Sequence, residues 1–169
     1  MNQIIHLMRS NVWLKEQLDF LLKNYFSDVK ISNPIEIKFG REAKYRFGSI
    51  KLIRPIRSRG LKFKFHLGGG TLFTPREKRA ITPQKSIITI TSLFAKDSVP
   101  VSVVHYTISH ELCHYAHGFS SSNKRLFKHP HHGGIVNKEL KDRGAEDLIL
   151  AFKKWLKIYR KKILAGKIP

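Results

Sequence analysis

The sequence predicts an α+β fold: an N-terminal helix, a small sheet of three to four mostly antiparallel strands, and a group of helices after it. Three observations carry that expectation. A helical apolar stripe runs through residues 11–26, short stretches with period-two alternation fall between residues 35 and 91, and helical periodicity returns after Asp97. Strands grouped together and flanked by helices, rather than alternating with them, make an α+β arrangement. A chain of 169 residues suits one compact domain and is short for two. A single domain over residues 1–169 is therefore expected, with its core at about 31–145 and a basic final helix at 146–164.

Each element has its own signal. In the first helix Leu14, Leu18, Leu21, Leu22 and Tyr25 share a face, with Lys15, Glu16, Asp19 and Lys23 between them. After the turn signal "SNP" at 32–34, "IEIKF" (35–39) alternates as a strand with one wet face does. "SIKLI" (49–53), "LKFKFHL" (61–67) and "SIITIT" (86–91) repeat that pattern. "GGG" at 68–70 and "TPREKRAITP" at 74–83 separate the last strand from the others. The run "DSVPVSVVHYTISHELCHYAHG" is helical, with a proline near its start and Gly118 as its stop. "FSSSNKRLFKHPHH" has no apolar period and reads as a loop, and a short helix through "GIVNKELKDR" closes at Gly144. In the last helix Leu148, Ile149, Phe152, Trp155, Leu156, Tyr159 and Ile163 form one stripe. Lys153, Lys154, Lys157, Arg160, Lys161 and Lys162 lie mostly off it.

An apolar share of 41% with 11 phenylalanines supplies a core and argues against global disorder. No stretch approaches the roughly 20 apolar residues a membrane helix needs, and the start lacks a basic leader with a small-residue cleavage site. A soluble, cytoplasmic protein without a membrane partner, acting as a monomer, is expected. Cys113 is the only cysteine, which excludes an intramolecular disulfide, and its place inside the helix reads as a small buried side chain. The net charge of +20 attracts polyanions, and nucleic acid leads among them; general solubility is the plainer reading. Twelve bases against Glu42 and Glu77 between Arg41 and Arg79 form a patch rather than a scatter. Binding to DNA would associate the protein with the nucleoid.

The stretch "SHELCHYAHG" (109–118) concentrates the chemistry. On a helix, residues four apart lie one turn apart on one face, so His110 and His114 can converge on a single ion at the ~2.0–2.1 Å zinc accepts. Glu111 sits roughly 100° round from His110, near enough to touch a metal-bound water without ligating, and fits a catalytic base. The pattern arises by accident in about two of a hundred chains with these His and Glu frequencies. A satisfied histidine pair on a polar helix is the bland alternative. His117 shares the face but stands ~10.5 Å of rise from His110, too far for all three to close on one ion. The third ligand therefore lies downstream. His132, directly before a glycine pair and the short helix, is the first choice; His131 and Glu139 are alternatives, and Glu146 falls beyond the Gly144 break. Tyr106, one turn before His110, either packs or supports the ligands.

With "HELCHYAHG" followed by "HHGGIVNKELKDRG", the chain resembles the SprT-like (Spartan-type) zinc metallopeptidase family over roughly residues 61–145. The resemblance implies a zincin-like fold, one zinc ion on His110, His114 and His132, and Glu111 as catalytic base. It also implies a metalloendopeptidase whose protein substrates lie on or near DNA, as in the repair of DNA–protein crosslinks. Substrate would lie as a strand along the sheet edge nearest the helix. "SIITIT" is the candidate edge, an ordinary core strand being the other reading. Ile135 and Val136 stand where family members carry an aromatic, and the cysteine-rich zinc ribbon of many members is missing, since one cysteine cannot supply four thiolates. DNA contact then falls to the basic patch or the final helix. A noncatalytic nucleic-acid-binding protein with a structural zinc is the competing class. Glu111 argues against it, because a closed structural site has no use for a base beside the ion.

Overall fold

Leucines at i, i+4 and i+7 give the first helix a face to bury. In a computed structural model that describes residues 8–54 and 83–166, Leu14, Leu18 and Leu21 of α1 (Asn11–Tyr25) are enclosed in the core. Ser10 caps this helix, its hydroxyl accepting from the Trp13 N–H at 3.2 Å and satisfying one of the free donors of the first turn.

Three strands follow: β1 (Ile35–Phe39), β2 (Gly48–Ile53) and β3 (Lys85–Ile90). The order is β1-β3-β2, so the last strand in sequence is the middle one in space. It runs parallel to β1, pairing Ile35 with Ser86, and antiparallel to β2, pairing Gly48 with Ile90. The sheet is thus mixed rather than mostly antiparallel, because β3 inserts between two strands that would otherwise be neighbours. This also corrects the expected edge: "SIITIT" is central, with Ser86, Ile88 and Ile90 buried. β1 and β2 are the two terminal strands among the described residues, β1 packing against α1 and β2 against the helix that carries His110 and His114. The expected strand "LKFKFHL" and most of the charged loop after it lie outside those residues, as does the basic patch beyond Arg54.

A 3-10 turn over Ser92–Ala95, capped by the Thr91 hydroxyl, leads into α2 (Val101–Ala116), which begins after Pro100. Nearly every face of α2 is covered, from Val103 and Val104 near its start to Tyr115 near its end. It packs against α1, β2 and β3, and against α3 (Ile135–Asp142) and α4 (Glu146–Leu164). An all-round buried helix can carry polar side chains only where something satisfies them, so the polar residues of α2 are informative. Cys113 is fully enclosed, and burial pushes its thiol well above the ordinary range. On α4 the predicted stripe faces inward, with Trp155 and Tyr159 stacked at 4.7 Å and Phe152 stacked on Tyr106 at 4.2 Å. Lys153, Lys154, Lys157, Arg160, Lys161 and Lys162 are exposed. The α+β class with a small sheet holds. No helix among the described residues is long and apolar enough to cross a membrane.

Candidate metal centre

His110 and His114 project from one face of α2, as their spacing requires. Their ring centroids are 4.8 Å apart with planes nearly perpendicular. A third imidazole joins them from the loop between α2 and α3, and it belongs to His131, at 4.7 Å from His114 and 5.3 Å from His110. One ring nitrogen from each of the three lies within 4.8 Å of the other two. Burial pushes His110 down to about 3 and His114 to about 4, with the neighbouring imidazoles adding to the effect. Both are neutral at physiological pH and keep a lone pair for a cation. The His114 Nδ1 is buried without a hydrogen-bond partner, an orphan that a ligated ion would explain. Three imidazoles form a donor set suited to zinc and to several other divalent metals, so the cluster can hold a metal ion.

His132 is not part of this group. It is exposed, with its ring 6.4 Å from that of His129. The sequence expectation had a histidine opening α3 directly. Instead His132 starts a 3-10 turn, and Gly133 (φ 62°) and Gly134 (φ 70°) both take left-handed backbone before α3 begins at Ile135. Two such residues, accessible cheaply only to glycine, separate His132 from α3, and it is His131, itself exposed, whose ring meets those of His110 and His114. His117 also stays apart, buried with its Nε2 at 3.6 Å from a Glu139 oxygen. That contact occupies Glu139 as well, which Arg143 holds through its Nε at 2.8 Å. Glu146 is exposed and pairs with Lys141. Tyr106 packs on Phe152 and donates its hydroxyl to the Asn137 side chain at 3.1 Å.

Glu111 lies beside the cluster and is only 6% exposed. Burial pushes its carboxyl up to about 7, while the charge of Arg46 and the Ile50 backbone pull the other way. Room for it depends on a residue that the motif does not contain. A Cβ at Gly48, the first residue of β2, would meet a Glu111 oxygen at 2.9 Å and the Thr107 methyl at 2.7 Å. The signal for Gly48 in the sequence was only a glycine before an alternating stretch. The three histidines and Glu111 open onto a cleft of about 520 Å³, walled by Gly48, Ser49 and Ile50 on the sheet side and by Phe119, Ser120 and Arg125 on the loop side.

The loop is anchored before it reaches the cluster. Ser122 N–H donates to Asn33 Oδ1 at 2.9 Å, Ser86 Oγ donates to the Ser120 carbonyl, and Ser121 Oγ donates to the Tyr115 carbonyl at 2.7 Å. Arg41, Lys44, Arg46, Lys51 and Arg54, the described part of the basic patch, are all exposed. Compared with protein-family models, characterised proteins and solved structures, the chain matches none.

Proposed function

We propose that the protein is a zinc-dependent metalloendopeptidase of the SprT-like kind, hydrolysing peptide bonds in proteins on or near DNA. The observation that carries this reading is the buried Glu111 carboxylate next to three clustered imidazoles, at the wall of an open cleft. His110, His114 and His131 would hold the ion. Bound there, zinc supplies Lewis-acid activation of a water and of the scissile carbonyl. Glu111 takes the proton from the attacking water and returns it to the leaving amine, which is general base and then general acid work at one carboxylate. Gly48 keeps that carboxylate close against β2. Ser49 and Ile50 of β2, one of the two terminal strands among the described residues, line the cleft where an extended substrate would lie, and the Ile50 carbonyl already accepts from Ser120 Oγ at 3.2 Å.

The exposed bases of α4 and of residues 41–54 support contact with a polyanion, and a cytoplasmic, nucleoid-associated monomer accords with it. The test uses purified, zinc-loaded protein with casein as substrate and self-cleavage as a second readout. Glu111→Gln is expected to abolish cleavage while retaining the metal. Unchanged cleavage by that variant sinks the peptidase reading. DNA affinity, measured in parallel, is expected to fall steeply with added salt as condensed counterions are released; a flat salt dependence removes the polyanion part.

A further inference from the structure

The loop that delivers His131 also carries an arginine whose side chain is held in place. Gly118 (φ 76°) turns the chain back so tightly that a Cβ there would lie 2.5 Å from the Lys124 carbonyl oxygen. Leu126 N–H donates to the His117 carbonyl at 3.1 Å, and Asn123 Nδ2 donates to the Lys30 carbonyl at 3.2 Å. On this frame Arg125 donates from Nε to the Phe127 carbonyl at 3.1 Å and from Nη2 to the Lys128 carbonyl at 2.8 Å. Its guanidinium carbon sits 4.7 Å from the centroid of the Phe119 ring, which in turn lies 6.1 Å from the His114 ring.

An exposed arginine ordinarily samples many rotamers. This one is fixed by two carbonyls and an aromatic face at the wall of the cleft, and no carboxylate pairs with it among the described residues. A guanidinium has five N–H donors, so fixing it through Nε and Nη2 leaves donors unspent, those of Nη1 included. Arg46 lines the same cleft beside β2, and among the described residues Glu111 is the only acidic side chain that lines it. The cleft is therefore cationic on two sides before any metal enters.

We propose that Arg125 determines substrate specificity, receiving the carboxylate of an Asp or Glu side chain next to the peptide bond that is cut. This rests on the peptidase reading above. A preordered guanidinium loses little freedom when a carboxylate binds, and its paired donors match carboxylate geometry. A nucleic-acid phosphate is the competing anion. The position favours a peptide, because whatever Arg125 holds shares one cleft with Glu111 and the histidines and belongs to the molecule being hydrolysed.

The experiment compares peptides identical except for Asp, Ala or Lys at the positions flanking the cut, using the zinc-loaded full chain. The Asp peptide is expected to exceed the Ala peptide in kcat/KM by about tenfold or more. Arg125→Gln should bring that ratio to about one, and Arg125→Glu should turn the preference toward Lys. Arg125→Lys, which keeps charge and loses the paired donors, should fall between wild type and Arg125→Gln. Binding of the same peptides to the Glu111→Gln variant, followed by fluorescence anisotropy, gives a readout without turnover. Cleavage of neutral and acidic peptides at equal rates overturns the assignment and leaves the peptidase reading standing. Acid-selective binding, lost in Arg125→Gln, with no peptide cut supports Arg125 as the carboxylate receptor but sinks the peptidase reading and, with it, the placement beside a cut bond. Loss of the acid preference on adding short oligothymidylate assigns Arg125 to phosphate and overturns the proposal.

Discussion

The hydroxyl of Tyr115 sits between the backbone groups of Asn33, accepting from its N–H at 3.1 Å and donating to its carbonyl at 2.8 Å. Tyr115 is fully buried near the end of α2, and Asn33 lies in the turn before β1. The Asn33 side chain continues outward, donating to Ser86 Oγ on β3 at 2.8 Å and accepting from Ser122 in the loop that reaches His131. One tyrosine hydroxyl thus ties the helix of the first two histidines to the junction that anchors the third.

Tyr115→Phe removes that hydroxyl and leaves a buried N–H and a buried carbonyl without their partner. An unsatisfied buried backbone group costs about 1–3 kcal/mol. Urea unfolding should show a lower midpoint at unchanged slope, a loss within about that range. A midpoint equal to wild type would show that water replaces the hydroxyl.

The metal cluster makes a sharper forecast, because adjacent histidines serve as control and test. His131→Ala should reduce bound zinc from about one ion per chain to well below half after dialysis, since two imidazoles hold zinc poorly. His132→Ala should keep the full complement. Elemental analysis of the two variants side by side decides it, and the opposite result would return the third position to His132.

Gly48→Ala places a methyl group against Glu111 and Thr107. Shifting a catalytic group by about 1 Å costs on the order of a hundredfold in rate. Cleavage should drop by roughly that factor with zinc content unchanged, because the atoms the new methyl meets first belong to Thr107 and Glu111 rather than to a histidine. Wild-type activity in this variant would mean that Glu111 has room to move and that its close seat against β2 has no role.

A pH effect is expected at the Arg143–Asp28 pair. Arg143 donates to both oxygens of Asp28 and also to the Tyr25 carbonyl, with its guanidinium over the Phe26 ring. That hydrogen bonding holds the Asp28 carboxyl below its ordinary value near 3.8. A carboxyl depressed in the folded state contributes its stability above the unfolded-state value, and the contribution is lost as pH falls through the lower folded value. Asp28→Asn should therefore be less stable than wild type at pH 7, by a few tenths to about 1 kcal/mol given the exposure of the pair. The two curves should converge as pH falls through that lowered value. Parallel curves over the whole range would show that the pair contributes nothing through charge.

The helices and the histidine pair were legible because each depends on local spacing. Leu14, Leu18 and Leu21 needed only helical periodicity to be placed on one buried face, and His110 and His114 needed only the four-residue repeat. The strand order was not legible. An alternating stretch such as β3 reads the same at an edge and in the middle, since only the pairing partners differ, and those partners lie far away in the chain. His131 and His132 could not be separated either. Which of two adjacent side chains meets the histidine pair depends on the local path of the loop, and a glycine pair such as Gly133 and Gly134 permits left-handed turns without specifying how many residues take them. Gly48 escaped notice because its role is a close approach to Glu111, a side chain more than sixty residues away.

Cys113 gives the molecule an internal stopwatch. A lone thiol in the middle of α2, sealed from solvent and held protonated, reacts with an alkylating reagent only when the surrounding helices part. Its labelling rate in native buffer therefore counts those openings directly, with no engineered probe and no second sulfhydryl to confuse the signal.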